Sequence, residues 1–214
     1  MPRVVLSDRV KDYIVEAVLS GELKPGDRIV ESVLARDLGV SQAPVREALR
    51  DLVLLGFLES EPYKGTSVRS FTYEELWETY TVRAALESLA ARLAATHLTA
   101  DDVDELQAIL DEMMEAAHQQ DVDLLLMLDN RFHETIIKIS RNKTLYQLWK
   151  TLQFGTWSIV TYRKFSYDPA YLAARHKELL DALQTGDPEK ASHTMKHHIE
   201  DMGKPPADLD PNNG

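Results

Sequence analysis

Four side chains of types that bind divalent metals fall on the apolar faces of predicted helices. Asp129 and His133 are four residues apart in one helix and in phase with its leucines and isoleucines, so they share its inner face. His176 lies on the leucine-rich face of a second helix, and His198 lies on the apolar stripe of a third. Buried carboxylates and imidazoles need polar partners, and one divalent cation would satisfy all four. Three imidazoles and a carboxylate suit zinc first, with nickel, manganese or iron(II) as alternatives.

These four residues also fit other interpretations. Each histidine could be an ordinary core residue that is hydrogen-bonded to a backbone carbonyl. A bound metal with open coordination positions could activate water, as in a metal-dependent hydrolase or lyase, or it could be a structural ion that ties three helices together. The enzyme interpretation lacks a separate general base, because Glu134 adjoins His133 but points about 100° away around the helix. A second pair with metal-binding spacing, His193 and His197, falls on a polar helix face.

A second group of residues with recognisable chemistry lies near the start of the chain. Ser41 is predicted to cap a helix, and Arg46 and Arg50 are four residues apart on the face opposite its leucines. Arginine can pair with guanine through two hydrogen bonds, and Gln42 in the first turn could pair with adenine. The pattern favours a helix that reads DNA bases. The alternative is that the arginines form only the solvated face of an amphipathic helix.

The elements around these arginines follow the order of a winged helix-turn-helix. Ser7 is the predicted first N-cap. Apolar spacing and terminating glycines predict three helices, over residues 8–20, 31–38 and 42–55. Alternating side chains predict a hairpin of two strands, residues 57–61 and 66–69. In this fold the second helix of the motif enters the major groove. Arg36 before the turn and Lys64 at the hairpin tip then suit contacts with phosphate or with the minor groove.

From residue 72 onward the pattern is helical almost without interruption. Thr72 and Glu75 form a predicted capping box, and Asp168 and Asp187 each precede a proline that suits a first helical turn. The predicted helices span residues 73–97, 100–119, 122–139, 143–164, 169–184 and 188–202.

The sequence therefore predicts a mainly α protein. A winged helix-turn-helix domain of three helices and a β-hairpin, residues 1–71, is followed by an all-α bundle of about six helices, residues 72–202. Residues 203–214 form a predicted disordered tail.

Composition limits the class of protein. The 214 residues include no cysteine, which excludes disulfides, thiolate metal ligands and a cysteine nucleophile. No apolar run reaches the roughly 20 residues that cross a bilayer, and the first residues lack signal-peptide features, so we expect a cytoplasmic protein without membrane contact. The net charge of −11 lies mostly beyond residue 70, because residues 1–70 carry 10 basic and 11 acidic side chains. DNA binding must therefore depend on where a few arginines lie.

The stretch LARDLGVSQAPVREAL, residues 34–49, resembles the signature of GntR-type bacterial transcription regulators. The upstream LKPG turn and the KGT segment of the hairpin are similar to that family as well. The resemblance implies that Arg36, Arg46 and Arg50 contact operator DNA and that Gly65 lets the wing approach the DNA backbone. Gln42 departs from the family pattern, where many members carry arginine, and this leaves the base preference at its half-site open.

The second domain resembles the all-helical ligand-binding domain of the FadR subgroup of this family. The segments around Asp129 and His133, around His176 and around His198 are similar to motifs that hold a metal in many members. The resemblance implies a metal whose open positions take a small carboxylate effector that modulates DNA binding. Arg83 matches a position that often lines the effector pocket, where a guanidinium could clamp a carboxylate. Its alternative is a surface ion pair with Glu87.

The leading hypothesis is a homodimeric transcription regulator, of the repressor type that is commonest in such families, and not an enzyme. The two winged helix-turn-helix domains of the dimer, its reading heads, would bind a palindromic operator. A protein with two-fold symmetry matches a DNA site with two-fold symmetry. A carboxylate metabolite at the metal would shift the population between arrangements that bind DNA and arrangements that do not.

Overall fold

The structure is a computed structural model that describes residues 6–70, 72–152, 154–165 and 167–204. The chain divides into two compact units, Met1–Phe71 and Thr72–Gly214. The first contains three helices and a small sheet and the second is all helical, so the fold class predicted from the sequence is confirmed. Of the predicted disordered tail, residues 205–214 lie outside the described residues. Among the described residues, every helix is too short or too polar to span a bilayer.

The first unit combines three helices with a three-stranded antiparallel sheet. Its elements are α1 (Leu6–Leu19), β1 (Arg28–Ile29), α2 (Glu31–Asp37), α3 (Gln42–Leu54), β2 (Leu58–Glu61) and β3 (Gly65–Val68). β3 is the central strand, and its hairpin with β2 pairs Leu58 with Val68 and Glu61 with Gly65. β1 was not predicted, because a strand of two residues is too short to show alternation.

The core of this unit lies between α1 and α3. Apolar residues of the two helices bury their side chains against each other, namely Val10, Ile14, Ala17, Val45, Ala48, Leu49 and Leu52. The prediction of Ser7 as the first N-cap was wrong, because α1 includes Leu6 and Ser7 is buried on the same stripe as Val10 and Ile14. Ser41 does occupy the N-cap position of α3, but its side chain makes no capping hydrogen bond. Gly39 adopts φ of +66° in the turn between α2 and α3, which favours glycine.

The second unit contains eight helices among its described residues. They are α4 (Tyr73–Ala94), α5 (Ala100–His118), α6 (Val122–Ile139), α7 (Lys143–Leu152), α8 (Phe154–Phe165), α9 (Pro169–Ala174), α10 (His176–Gln184) and α11 (Pro188–Gly203). The single helix predicted for 143–164 is described as α7 and α8, on either side of residue 153. The single helix predicted for 169–184 is divided into α9 and α10 at Arg175, whose backbone remains helical with φ −60° and ψ −27°.

Helix starts in this unit follow the predicted capping signals. Thr72 and Glu75 form both hydrogen bonds of a capping box at the start of α4. Asp168 caps α9 by accepting from Ala170 N, and Asp187 caps α11 by accepting from the backbone of the next turn. These caps were predictable because the side chain and the N–H groups that it accepts from are close in sequence.

The first and last helices of the unit, α4 and α11, pack along each other. Gly203, which was predicted to start the tail, is the last residue of α11 and is buried. A Cβ atom at Gly203 would lie 2.6 Å from Tyr80 Cβ and 2.9 Å from Tyr80 Cγ. The helices therefore approach so closely at this point that only glycine fits without a shift.

Candidate metal centre and nucleic-acid interface

The structure brings together the four residues that the sequence suggested as metal ligands. Asp129 and His133 lie one turn apart on α6, His176 is the first residue of α10, and His198 lies in the second half of α11. One nitrogen atom of each histidine lies within 4.8 Å of a nitrogen of each of the others. All three imidazoles are buried, whereas the Asp129 side chain retains 18% of its exposure. Three helices therefore converge on one cluster of nitrogen and oxygen atoms.

His176 presents a lone pair to the carboxylate of Asp129. Its Nδ1 lies 2.9 Å from the carbonyl oxygen of Leu172, and since a carbonyl only accepts, Nδ1 carries the proton. Nε2 is then unprotonated, and it faces Asp129 Oδ1 at 3.1 Å. Burial lowers the pKa of His176, which favours this neutral form. Two acceptors at this distance are stabilised only when a proton or a metal ion lies between them.

His133 is oriented in a similar way by a different partner. Its Nδ1 lies 2.5 Å from Glu87 Oε2, while its Nε2 lies 3.8 Å from Asp129 Oδ1. Five buried atoms in this region lack a hydrogen-bond partner of good geometry among the described residues: Asp129 Oδ2, His176 Nε2, both ring nitrogens of His133, and Glu87 Oε2, which lies 2.5 Å from His133 Nδ1. Buried polar atoms are rarely left unpaired. Imidazole nitrogens with one carboxylate are ligands of zinc and of neighbouring divalent metals, so the residues present fit such an ion.

The electrostatics favour the protonation states that a metal ion requires. Burial alone would raise the pKa of Asp129, but contact with His176 and the charges of His133 and Arg83 hold it well below its usual range. Burial, together with repulsion from His176 and Arg175, lowers the pKa of His198 well below its ordinary value. An ionised Asp129 beside unprotonated His176 and His198 is the form that binds metals.

Arg83 of α4 is buried beside this cluster. Its Nε donates to Glu87 Oε1 at 2.7 Å and its Nη1 donates to Ser158 Oγ at 2.7 Å. Its Nη2 lies 4.0 Å from Asp129 Oδ2. The predicted ion pair with Glu87 therefore exists, but it is buried and not on the surface as that alternative supposed. Although burial opposes the charge, attraction to Glu87 and Asp129 raises the pKa of Arg83, so the guanidinium stays charged.

A small cavity lies between these residues and the surface. Its volume is about 20 Å³, and its walls include the four candidate ligands, Arg83, Tyr80 and Arg175. A space of this size holds about one water-sized group. Arg175, at the junction of α9 and α10, donates from Nη2 to the backbone oxygen of His198 at 2.6 Å and so ties that junction to α11.

The second histidine pair lies elsewhere. His193 and His197 are exposed on α11, with ring centroids 4.3 Å apart. Among the described residues, the structure brings three metal-binding side chains together at His133, His176 and His198. The structure thus separates the two histidine sets that spacing alone left as rivals.

The residues predicted to contact DNA lie on the surface of the first unit. Ser41, Gln42, Arg46 and Arg50 are exposed along the first turns of α3. Arg46 and Arg50 line a groove of about 460 Å³ that is bounded on the other side by Ser60 and Thr66 of the hairpin. An exposed helix beside a hairpin is the arrangement that winged helix-turn-helix domains present to a duplex.

The other predicted contacts are also on the surface of the first unit. The Arg36 side chain at the end of α2 is 74% exposed, and Lys64 at the hairpin tip is exposed beside Glu61 at 2.6 Å. Gly65 adopts φ of +86°, and a Cβ there would lie 3.1 Å from the guanidinium of Arg28. Glycine at this position therefore suits both the turn and the close approach of Arg28.

Two residues of interest were not singled out from the sequence. Glu31 at the start of α2 accepts from Arg46 Nε at 3.1 Å and from Nη2 at 3.0 Å. Tyr63 at the hairpin tip is fully exposed and has φ of +67°, which is unusual for a bulky residue. Neither feature has a signal in the spacing of the sequence.

Comparison with known families identifies the protein. Residues 6–68 match the family described as bacterial regulatory proteins, gntR family, and residues 78–201 match the FCD domain. The chain belongs to the GntR family and carries an FCD domain. The match to the FCD domain includes all four candidate metal ligands.

Relatives of this GntR protein are transcription regulators. It is 33% identical to the protein named "Probable D-xylose utilization operon transcriptional repressor" of Paenarthrobacter nicotinovorans, over 93% of the present chain and 88% of the relative. It is 30% identical to the HTH-type transcriptional regulator McbR of Escherichia coli K12, over 91% and 90% of the two chains. The solved structure of E. coli McbR/YncC has a TM-score of 0.76 and 27% identity, and the match covers 93% of this chain and 95% of that one. The GntR protein is a DNA-binding transcription regulator and not an enzyme.

Proposed function

We propose that this GntR regulator is a homodimeric repressor of the FadR type, whose affinity for a palindromic operator is modulated by a small carboxylate at a metal centre. The observation that carries the proposal is the buried cluster of Asp129, His133, His176 and His198, in a chain that also has a winged helix-turn-helix. The repressor role is extended from the relative of P. nicotinovorans, whose name describes a repressor.

The reading head works through the exposed start of α3. Arg46 and Arg50 reach base edges in the major groove, where each can pair with guanine, and Gln42 can pair with adenine. Ser41 at the helix start faces the base edges beside Gln42. Arg36 and Lys64 contact the phosphate backbone or the minor groove and fix the register of the protein on the duplex. Gly65 lets the wing approach the DNA backbone. Support comes from the exposure of Gln42, Arg46 and Arg50 on α3 and from the groove that the two arginines line.

Dimerisation places two such heads on one site. A two-fold dimer contacts two half-sites whose centres are separated by about one helical turn or a multiple of it, so the operator has the same two-fold symmetry. Each arginine contact is then made twice. Substitution of one arginine in the chain removes a contact from both half-sites.

The sensing half consists of the metal site and its surroundings. Asp129, His133, His176 and His198 hold the ion, with zinc as the first candidate and nickel, manganese or iron as alternatives. When bound, the ion supplies open coordination positions for a carboxylate oxygen. Arg83, 4.0 Å from Asp129, supplies positive charge at the edge of the same site.

The size of the cavity favours a link between effector binding and conformation. A space of about 20 Å³ holds about one water-sized group, so we expect a carboxylate of several atoms to displace part of the walls when it enters. A ligand that binds one arrangement of the walls more tightly than another shifts the population toward that arrangement. The Arg175 junction between α9 and α10 lies in this wall and is the element that we expect to move.

The direct test is a nuclease footprint of the purified protein on the DNA upstream of its own gene, at moderate salt. We expect a short protected palindrome. Absence of protection, even at low salt and with added zinc, would overturn the operator half of the proposal. The protected DNA then serves as the binding probe, and carboxylic acids are screened for their ability to release the protein from it. Protein from which a chelator has removed the metal is the control. If the ion has a sensory role, the metal-free protein folds but does not respond to the acid. If the ion is structural, the metal-free protein does not fold. Circular dichroism of the metal-free protein measures folding.

A further inference from the structure

Glu87 is a fully buried carboxylate with partners on three helices. It lies on α4 and its exposed fraction is 0%. Its three partners are Arg83 on α4, Trp149 on α7 and His133 on α6. A buried charge is tolerated only when it is paired and hydrogen-bonded, and Arg83 alone would satisfy the charge. The contacts with Trp149 and His133 therefore need a further explanation.

The two carboxylate oxygens of Glu87 have separate partners. Oε1 accepts from Arg83 Nε at 2.7 Å and from Trp149 Nε1 at 3.0 Å. These two donors, from different helices, fix the plane of the carboxylate without any contribution from His133. Oε2 is thereby directed toward His133 Nδ1, which lies 2.5 Å away.

We propose that Glu87 is a positioning residue of the metal centre, which fixes the ring orientation and the tautomer of His133 so that Nε2 faces the ion. The inference rests on the metal site under the proposed function. A carboxylate or carbonyl that accepts the second N–H of a metal-binding histidine raises the affinity of the site for its metal. In this protein Leu172 O accepts from His176 Nδ1, and Glu87 Oε2 is the acceptor that lies 2.5 Å from His133 Nδ1.

The same carboxylate connects the ion to Arg83. Glu87 contacts the ligand His133 through Oε2 and the guanidinium through Oε1, so a change in the orientation of one partner is transmitted to the other through a single rigid group. Trp149 donates to the same oxygen as Arg83, which places an indole three contacts away from the proposed ion, through Glu87 and His133. Its fluorescence is therefore a reporter of the state of this network.

The test measures Co²⁺ binding, because Co²⁺ is detected by its visible spectrum and accepts the same ligands. Wild type and Glu87→Gln are stripped, checked for folding by circular dichroism and titrated with Co²⁺ against a competing chelator. We expect Glu87→Gln to bind Co²⁺ about 10- to 100-fold more weakly, with a shifted visible spectrum and a reduced response of Trp149 fluorescence. Glu134→Gln is the matched control, because Glu134 is next to His133 in sequence but accepts from Tyr146 and pairs with Lys138. We expect its affinity to equal that of wild type.

Loss of the Arg83 ion pair is a competing cause of weak binding in Glu87→Gln, and a second comparison separates the two. The double variant Arg83→Met/Glu87→Gln lacks both charges of the ion pair. Its Co²⁺ affinity is compared with that of the single variant Arg83→Met. If the double variant binds Co²⁺ at least about 10-fold more weakly than Arg83→Met alone, the effect is assigned to the contact with His133. Loss of a residue that orients a metal ligand typically lowers metal affinity by at least about this factor. Equal affinity and an equal spectrum in the two backgrounds would overturn the inference. If wild type itself binds no Co²⁺ or Zn²⁺, the proposed metal site fails and the role of Glu87 fails with it.

Discussion

Glu31 holds the guanidinium of Arg46 through two hydrogen bonds, of 3.1 Å from Nε and 3.0 Å from Nη2. The pair joins the first residue of α2 to the first half of α3. Exposed ion pairs of this kind contribute little to the stability of a fold. The contact instead restricts the rotamers of Arg46 before DNA is present, and ordering of a long side chain in advance reduces the entropy that binding must overcome.

Arg46→Ala is expected to remove specific operator binding. Loss of a two-hydrogen-bond contact with guanine weakens discrimination by about 5- to 150-fold at each half-site, so a dimer that loses both contacts falls toward non-specific affinity. The measurement is a titration of labelled operator and of a scrambled duplex at the same salt. Arg9→Ala in the exposed part of α1 is the control and should bind as wild type does. Unchanged operator affinity in Arg46→Ala would refute the assignment.

Glu31→Gln is expected to reduce specificity without reducing general DNA affinity. The variant loses the single negative charge of Glu31, which pairs with Arg46. The same loss reduces repulsion between the protein and the DNA phosphates, so binding to scrambled DNA should become slightly tighter. The ratio of specific to non-specific affinity should therefore fall. The same pair of titrations provides this ratio. A ratio equal to that of wild type would show that Glu31 does not orient Arg46 for reading.

His176→Ala is expected to lower the amount of bound metal. The substitution removes the imidazole nitrogen that faces Asp129 at 3.1 Å and leaves two histidines and one carboxylate. Metal content is measured by elemental analysis after desalting, with His193→Ala as the control because His193 is exposed on the polar face of α11. Circular dichroism of both variants establishes that they are folded. Full stoichiometric metal in folded His176→Ala would exclude the proposed site.

Gly203→Ala is expected to destabilise the helical unit. The added methyl group would lie 2.6 Å from Tyr80 Cβ, and the partner atoms belong to the base of a buried side chain that cannot swing away. Overpacking of a core in this way costs about 1–3 kcal/mol in the free energy of unfolding. Denaturant titration measures the change, and Lys196→Ala on the exposed face of α11 is the control. A stability equal to that of wild type would mean that α4 and α11 can separate at this point without cost.

The parts of the structure that were predictable are those set by short-range patterns. Caps at Thr72, Asp168 and Asp187 and the inward direction of His133, His176 and His198 follow from helical spacing and from neighbours within four residues. The strand β1 was missed because two residues carry no pattern. The division of 169–184 at Arg175 has no proline or glycine to signal it, and the contact of Arg175 with His198 O joins residues that are 23 positions apart.

The role of Glu87 shows the limit for the site itself. Spacing predicted its pair with Arg83 four residues earlier, but it could not show that the pair is buried. The contacts with His133 and Trp149 join residues that are 46 and 62 positions away in the chain. Such contacts depend on how α4, α6 and α7 pack, and helical periodicity gives no information about which helices become neighbours.

The pairing of α4 with α11 also has a consequence for the order in which the protein is made. The ribosome releases α4 more than 90 residues before α11, the helix that covers it and that carries His198. The last strand of the reading head ends at Val68, so this unit is complete early in translation and folds first. The helical unit must wait for nearly the whole chain, with the face of α4 around Tyr80 exposed meanwhile to chaperones and proteases. Premature termination before Pro188 would thus yield a nascent fragment with an intact winged helix-turn-helix unit but an incomplete helical unit.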